Sequence, residues 1–167
     1  MRFVIAYLLL CASAVAQTPP PTGNFVYIDQ VGDSNTLYVL QTDSDAKRLT
    51  ITGTGDLNQT TIIQQGTGNH VASIQNLTGN SNIINLQQTG AGKHEFNIIN
   101  NPGTVNTGNT VNALQSGGVG SDKWFNIWFN GATGANVSVT QNNATVPDQA
   151  SMSITCRPCG TYSYTKN

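Results

Sequence analysis

A short repeat in segment 58–75 restricts the fold of this 167-residue chain more than any other feature. The heptapeptide NQTTIIQ (58–64) is followed, after a glycine-containing turn, by NHVASIQ (69–75), which gives a period of eleven residues. Asn opens each unit and Gln closes it. A unit this short cannot bury its own apolar face, so it must stack on neighbouring copies of itself.

Segments with the same character recur along most of the chain. They are rich in Val, Ile, Thr, Tyr and Phe and alternate with period two, which is typical of strands, and no stretch has the spacing of a helix. The connectors carry Gly, Asn, Asp, Ser and Pro, which favour turns. The predicted strands are 24–30, 35–41, 47–53, 58–64, 69–75, 80–87, 93–100, 109–115, 123–129, 136–141, 150–156 and 161–165.

Strand–turn–strand–turn units of about 22 residues predict an all-β fold, a β-solenoid with two strands in each rung. The length of the repeat region allows about five to six rungs and leaves no significant helix. We assign 24–149 to the solenoid repeats and 150–167 to a divergent terminal repeat that contains a C-x-x-C motif.

Amide side chains are expected at the corners of this solenoid. Side-chain alternation places Asn35 and Gln41 on one face of their strand, and Asn58 and Gln64 on one face of theirs, with apolar or small residues between. A buried amide without a partner costs about 1–3 kcal/mol. Amides stacked in register avoid that cost, because each forms hydrogen bonds with its equivalents above and below. In-register Asn and Gln ladders are therefore predicted.

The chain carries unusually little charge. Only 9% of its residues are charged and its formal net charge is -1. Without a basic patch there is no surface to hold phosphates, so no nucleic-acid partner is expected. Low charge also removes repulsion between copies and permits close stacking.

The first 16 residues read as a secretory signal peptide. Arg2 supplies the positive end, an apolar run covers 3–10, and Ala-Val-Ala precedes Gln17 as a small-residue cleavage site. The apolar run is too short to span a bilayer, and no membrane span is expected elsewhere. A Pro-rich leader, 17–23, follows the signal and is expected to be extended or disordered.

Two cysteines remain after the signal, Cys156 and Cys159. In an oxidising compartment this spacing favours a local disulfide over free thiols. A zinc site would need two further ligands, and His70 and His94 lie far away in sequence, at early strand positions where they are expected to be exposed.

Catalytic chemistry is not indicated by the sequence. Most carboxylates fall in predicted turns, where Asp accepts hydrogen bonds from its own backbone. No nucleophile, histidine and acid occur at a recognisable spacing, and nothing suggests a metal or a cofactor. We therefore expect a protein that is not an enzyme.

One aromatic segment, KWFNIWFN at 123–130, predicts a contact surface. Alternation places Phe125, Ile127 and Phe129 on the core face, which leaves Trp124 and Trp128 pointing outward. Exposed aromatic side chains usually mark a contact. Lateral packing of fibres and the binding of a glycan or host surface both remain open.

The pattern Q-x-G-x-x-N-x-x-x-x-x-Q occurs at 30–41 and 64–75, and at 53–64 with Gly in its first position. It resembles the curlin repeat of bacterial curli fibre subunits. The resemblance implies an extracellular functional amyloid that is exported unfolded and folds as a β-solenoid on a growing end. It implies fibres for biofilm matrix, adhesion and cell aggregation, built from copies of the chain itself, with a secretion pore and a nucleating subunit as further partners.

The resemblance extends the set of stacking residues expected in the ladders. The full set is Gln30, Asn35, Gln41, Asn58, Gln64, Asn69, Gln75, Asn109 and Gln115. The function expected from these features is a secreted subunit that polymerises head to tail at the cell surface. The alternatives are a monomeric solenoid that binds a glycan or ice and, less in keeping with the short rungs, a polysaccharide-degrading β-helix enzyme.

Overall fold

A computed structural model describes residues 4–9, 23–43 and 46–167. Within these ranges the chain forms strands and no helix, so none of the described residues belongs to a helix that could cross a membrane. The strands are β1 Val4–Leu9, β2 Phe25–Val31, β3 Thr36–Gln41, β4 Arg48–Thr54, β5 Gln59–Gln65, β6 Val71–Thr78, β7 Ile83–Gly90, β8 His94–Asn100, β9 Thr110–Gly117, β10 Lys123–Phe129, β11 Asn136–Gln141, β12 Asp148–Ile154 and β13 Thr161–Lys166.

Strands β2 to β13 wind into a β-solenoid of about six turns, which confirms the predicted fold class. Odd-numbered strands from β3 to β13 form sheet A, and even-numbered strands from β2 to β12 form sheet B. Each strand pairs in parallel with the strand one rung later. Equivalent residues are 23 to 29 residues apart, so the rungs are longer than the predicted 22.

Strand β1 is the exception to the parallel arrangement. It pairs antiparallel with β3, the first strand of sheet A, with Val4 opposite Gln41 and Leu9 opposite Thr36. It falls within the predicted signal, 1–16. The rest of that signal and all but Gly23 of the predicted leader, 17–23, lie outside the described residues, so both assignments remain predictions.

The core is a thin layer between the two sheets. The central inward position of sheet B is occupied, rung by rung, by Ile28, Ile51, Ile74, Ile98, Ile127 and Met152. Ile51, Ile98 and Ile127 are fully buried, and each buried Ile contributes roughly 2–3 kcal/mol. Because the strands pair in register apart from one irregularity between β4 and β6, inward residues of one rung cover their counterparts in the next.

Four-residue turns with the sequence Gly-x-x-Asn join the sheet B strands to the sheet A strands in the first three rungs. Gly55 in the second of these turns has φ +142°, and a Cβ atom there would lie 2.0 Å from the Gly79 carbonyl oxygen of the next rung. Stacked turns therefore exclude a side chain at this position. Leu57, two residues later, adopts the left-handed region with φ 58°.

Candidate functional site

A continuous row of glutamines runs along one edge of the solenoid, at the C-terminal ends of the sheet A strands. Each Nε2 atom donates to the Oε1 atom of the glutamine one rung later, at 2.7 Å in the first step and 2.8 Å in the next three. The same Nε2 atoms also donate to sheet B backbone carbonyls of their own rung, at 2.9–3.4 Å. The members, all buried, are Gln41, Gln64, Gln88, Gln115 and Gln141.

This glutamine ladder ends on a carboxylate. Gln141 Nε2 donates to Asp148 Oδ2 at 2.8 Å, and the hydroxyl of Tyr164 in the last rung donates to both oxygens of that carboxylate. In the register of sheet A, the position equivalent to Gln141 in β13 is Lys166, which is exposed. The amide row therefore gives way to charged groups in the terminal rung.

A second ladder of asparagines runs along the opposite edge, immediately before the sheet A strands. Its members are Asn35, Asn58, Asn82 and Asn109, all buried. Each Oδ1 atom accepts from the backbone N–H of the next member at 2.9–3.1 Å and from its Nδ2 atom at 3.0–3.2 Å. The row ends at Ala135. Its backbone N–H donates to Asn109 Oδ1, but it has no side-chain amide that could extend the ladder to the next rung.

Three of the predicted ladder residues lie outside both ladders. Gln30 points inward, but its column continues with Gly53 and Leu77, so no amide covers it. Its buried Nε2 atom has no partner among the described residues. Asn69 is exposed because His70 takes the inward position at the start of its rung. The predicted stacking roles of Gln30 and Asn69 are therefore wrong.

The third of these residues, Gln75, is displaced by an irregularity in β6. The register with β4 shifts after Ile74, so that Leu77 rather than Gln75 faces the core opposite Gly53. Gln75 is exposed and donates only to Ser73 Oγ, at 3.1 Å. Its predicted stacking role is also wrong.

Three ladder members were missed from the sequence. Asn82 and Gln88 are separated by the same six residues as Asn58 and Gln64, and this spacing could have identified them. The prediction of a strand over 80–87 set that register wrongly, because β7 spans Ile83–Gly90. Gln141 closes a predicted strand and stacks on Gln115.

A column of basic side chains, also missed from the sequence, lies beside the glutamine ladder, where each turn enters sheet B. Lys47, His70, His94 and Lys123 occupy equivalent positions in four successive rungs, and all four are buried. The expectation that both histidines are exposed is therefore wrong. The turn closes over them, because the first residue of β8 and of β10, and the residue just before β4 and β6, point inward.

The basic column supplies hydrogen-bond donors to the turns around it. Lys47 Nζ donates to the Gly66 carbonyl at 2.7 Å, and Lys123 Nζ donates to Ser121 Oγ at 2.7 Å and to the Val146 carbonyl. His70 Nε2 donates to the Gln65 carbonyl at 2.8 Å. Long side chains with N–H groups suit this corner because its inner wall is lined by carbonyl oxygens.

The two histidines stack and are held neutral. Their ring centroids are 4.9 Å apart and their planes differ by 8°. Burial lowers the pKa of His70 from 6.5 to about 4, against the opposing effect of its hydrogen bond to Gln65. Burial likewise lowers the pKa of His94 and of Lys123, and for Lys123 the nearby Asp148 and Asp122 carboxylates act in the opposite direction.

The outward tryptophans lie as the alternation of β10 predicts. Phe125, Ile127 and Phe129 are buried in the core, while Trp124 and Trp128 are half-buried on the outer face of sheet B. Asn126, between the two tryptophans, is only 7% exposed and accepts a hydrogen bond from Asn97 Nδ2 of the neighbouring strand at 2.8 Å.

Cys156 and Cys159 form a disulfide in the last turn on the asparagine edge. Arg157, which lies between them, donates from Nε to the Gly131 carbonyl of the preceding rung at 2.6 Å. The disulfide therefore closes a turn that is tied back to the rest of the solenoid.

The buried polar side chains of the solenoid form stacked rows. Among the described residues, no group of three or more His, Cys, Asp or Glu side chains could hold a metal ion. The buried polar groups are committed mainly to hydrogen bonds between rungs or within turns. No family model matches this chain, and searches of curated proteins and of solved structures likewise give no match.

Proposed function

We propose that this chain is a secreted structural subunit that polymerises head to tail into extracellular fibres at the cell surface. The observation that carries the proposal is the contrast between the middle of the solenoid and its ends. In the middle rungs, Leu49, Ile51 and Ile62 are fully buried. At the first rung the inward Val26 is 37% exposed, although it belongs to the same column as Leu49.

The last rung also leaves some core positions partly uncovered. Met152 in β12 and Tyr162 and Tyr164 in β13 point inward yet remain only partly buried. Open strand edges with apolar side chains behind them are templates for pairing with another chain. A contact between the last rung of one copy and the first rung of the next is heterologous and does not close, so it produces a fibre.

The register of the two ends supports the same contact. If β12 and β13 pair with β2 and β3 of the next copy as the rungs pair within one chain, Met152 covers Ile28 and Tyr164 covers Val39. Lys166 then lies over Gln41, whose Oε1 atom accepts no hydrogen bond within the described part of the chain. The Lys166 ammonium would extend the glutamine ladder into the next subunit.

Strand β1 occupies the edge of β3 that this contact requires. Because β1 belongs to the predicted signal, cleavage before Gln17 would free that edge. The functions implied by the curlin resemblance complete the proposal: fibres for biofilm matrix, adhesion and cell aggregation, with a secretion pore and a nucleating subunit as partners.

Electron microscopy of the purified chain beginning at Gln17 tests the proposal. We expect long fibres from this chain and discrete particles from Ile28→Lys, because the substituted charge would be buried at the junction. Tyr27→Lys is the matched control, since residue 27 lies on the same strand but points outward. Circular dichroism should show β-structure in all three. Fibres of Ile28→Lys that grow at the unaltered rate would contradict the proposal.

The alternative of a monomeric adhesin rests on the outward Trp124 and Trp128, whose faces could stack on sugar rings. It predicts discrete particles of the unaltered chain and glycan binding that is lost in Trp128→Ser. Long fibres with no glycan binding would remove this alternative.

A further inference from the structure

The outer face of sheet A carries no charge at all. Three outward positions on each of the six strands β3, β5, β7, β9, β11 and β13 hold Thr, Ser, Asn, Gln, Ile, Leu or Tyr. The outer face of sheet B differs, because Asp29, Arg48 and Glu95 point outward from it. Covering the sheet B face would therefore remove charged groups from water, which is costly. Covering the sheet A face removes only neutral groups from water.

A groove runs along the sheet A face, parallel to the solenoid axis. Its central column consists of small polar side chains, among them Thr61, Asn85 and Ser138. A column of longer side chains, which includes Ile63 and Leu114, borders it. The groove has a volume of about 280 Å³. Asn85 Nδ2 donates to Asn112 Oδ1 at 2.9 Å, which fixes the floor in place across two rungs.

We propose that this face packs laterally against the same face of a second copy in a neighbouring fibre. The proposal rests on the proposed polymerisation. In an antiparallel, two-fold arrangement the column with Ile63 and Leu114 of each copy lies in the groove of the other. Such interdigitation of side chains between two sheets is the arrangement of a dry steric zipper.

The size of the face indicates that only polymers pair. Six strands spaced about 4.8 Å apart, each about 20 Å long, give a face with an area of about 600 Å² for each copy. A stable interface requires about 800 Å² on each partner. A single subunit therefore falls short, whereas successive subunits along a fibre add their areas, so pairing should follow elongation.

A matched pair of serine substitutions tests the proposal by electron microscopy of fibres. Ser138 and Ser151 are both exposed, at the middle outward positions of β11 in sheet A and β12 in sheet B. Ser138→Lys should elongate at the unaltered rate but form single fibres. Paired fibres should decrease by about tenfold or more, because an unpaired charge would be buried in every contact. Ser151→Lys should leave pairing unchanged.

Other outcomes would overturn the proposal in separable ways. Unaltered fibres that stay single, or Ser138→Lys fibres that pair normally, would exclude this lateral contact and leave the proposed polymerisation intact. Equal loss of pairing in Ser151→Lys would point to net charge instead of the groove. Pairing that requires added neutral polysaccharide would assign the groove to a glycan. Absence of any fibre would remove the proposed function and this inference together.

Discussion

The two edges of the solenoid use amides in different ways. At the glutamine edge, the side chain is long enough to reach both its neighbour in the next rung and the backbone of the opposite sheet, as Gln88 does. At the asparagine edge the shorter side chain accepts the backbone N–H of the next rung, as Asn82 does for Asn109. The glutamine edge thus joins the two sheets, whereas the asparagine edge fixes the start of each sheet A strand.

The largest expected effect is at the asparagine edge. Asn82→Ala should lower the free energy of unfolding by about 4 kcal/mol. The buried Asn109 backbone N–H and the Asn106 carbonyl lose their partners, and the side-chain amides of Asn58 and Asn109 each lose one hydrogen bond. Gln88→Ala should cost about 3 kcal/mol, because no backbone N–H loses its acceptor there. Equilibrium urea unfolding of the soluble monomer measures both values.

Gln75→Ala serves as the control for this pair. Gln75 is a glutamine in a strand, as Gln88 is, but it is exposed and lies outside both ladders. We expect a change below about 0.5 kcal/mol. Equal costs for Asn82→Ala and Gln88→Ala would contradict the proposed difference between the edges.

The second prediction concerns acid, which should weaken the glutamine edge in particular. The pKa of His70 is about 4 in the folded chain and 6.5 in the reference state, so the unfolded chain binds more protons between these values. The contribution of His70 to stability should be constant above pH 6.5 and should fall by roughly 3 kcal/mol as the pH falls from 6.5 to 4. The His94 pKa is lowered too and adds to the loss.

His70→Gln should flatten this pH profile, because Gln can still donate to the Gln65 carbonyl but does not titrate. The measurement is urea unfolding at successive pH values for both chains. A profile with the same slope in His70→Gln would show that the acid sensitivity arises elsewhere.

The smallest expected effect is a gain at the asparagine edge. Leu57 is 56% exposed and adopts a left-handed backbone with φ 58°. Gly108 and Gly134 hold the equivalent positions of later turns, with φ 66° and 72°. Leu57→Gly should therefore relieve strain and stabilise the monomer by about 0.5–1 kcal/mol. A thermal melt measures the shift, and a lower melting temperature would show that Leu57 makes contacts that outweigh the strain.

Side-chain alternation was sufficient to predict the fold and part of the ladders. Alternation with period two identifies strands, and an Asn and a Gln six residues apart share a face, as Asn58 and Gln64 do. Stacking of the rungs follows from the same pattern, because a strand this short cannot bury its own apolar face. Six of the predicted ladder residues lie in the two rows described above.

The same spacing failed at Asn69 and Gln75 because it does not specify the phase of a strand. The segment 66–69 also has the sequence Gly-x-x-Asn, but it lies on the glutamine edge, where the first inward residue comes one position later, at His70. The irregularity after Ile74 then moves Gln75 outward. Both depend on contacts with adjacent rungs, which a single strand's sequence does not contain.

The two ladders also run in opposite senses. In the glutamine row each Oε1 atom after Gln41 accepts from the rung that precedes it, whereas each asparagine Oδ1 atom accepts from the rung that follows it. Their amide dipoles therefore oppose each other, in contrast to an α-helix, where aligned peptide dipoles sum to partial charges at the two termini. A solenoid built in this way can grow without accumulating electrostatic polarity, and the cost of adding a rung does not increase with length.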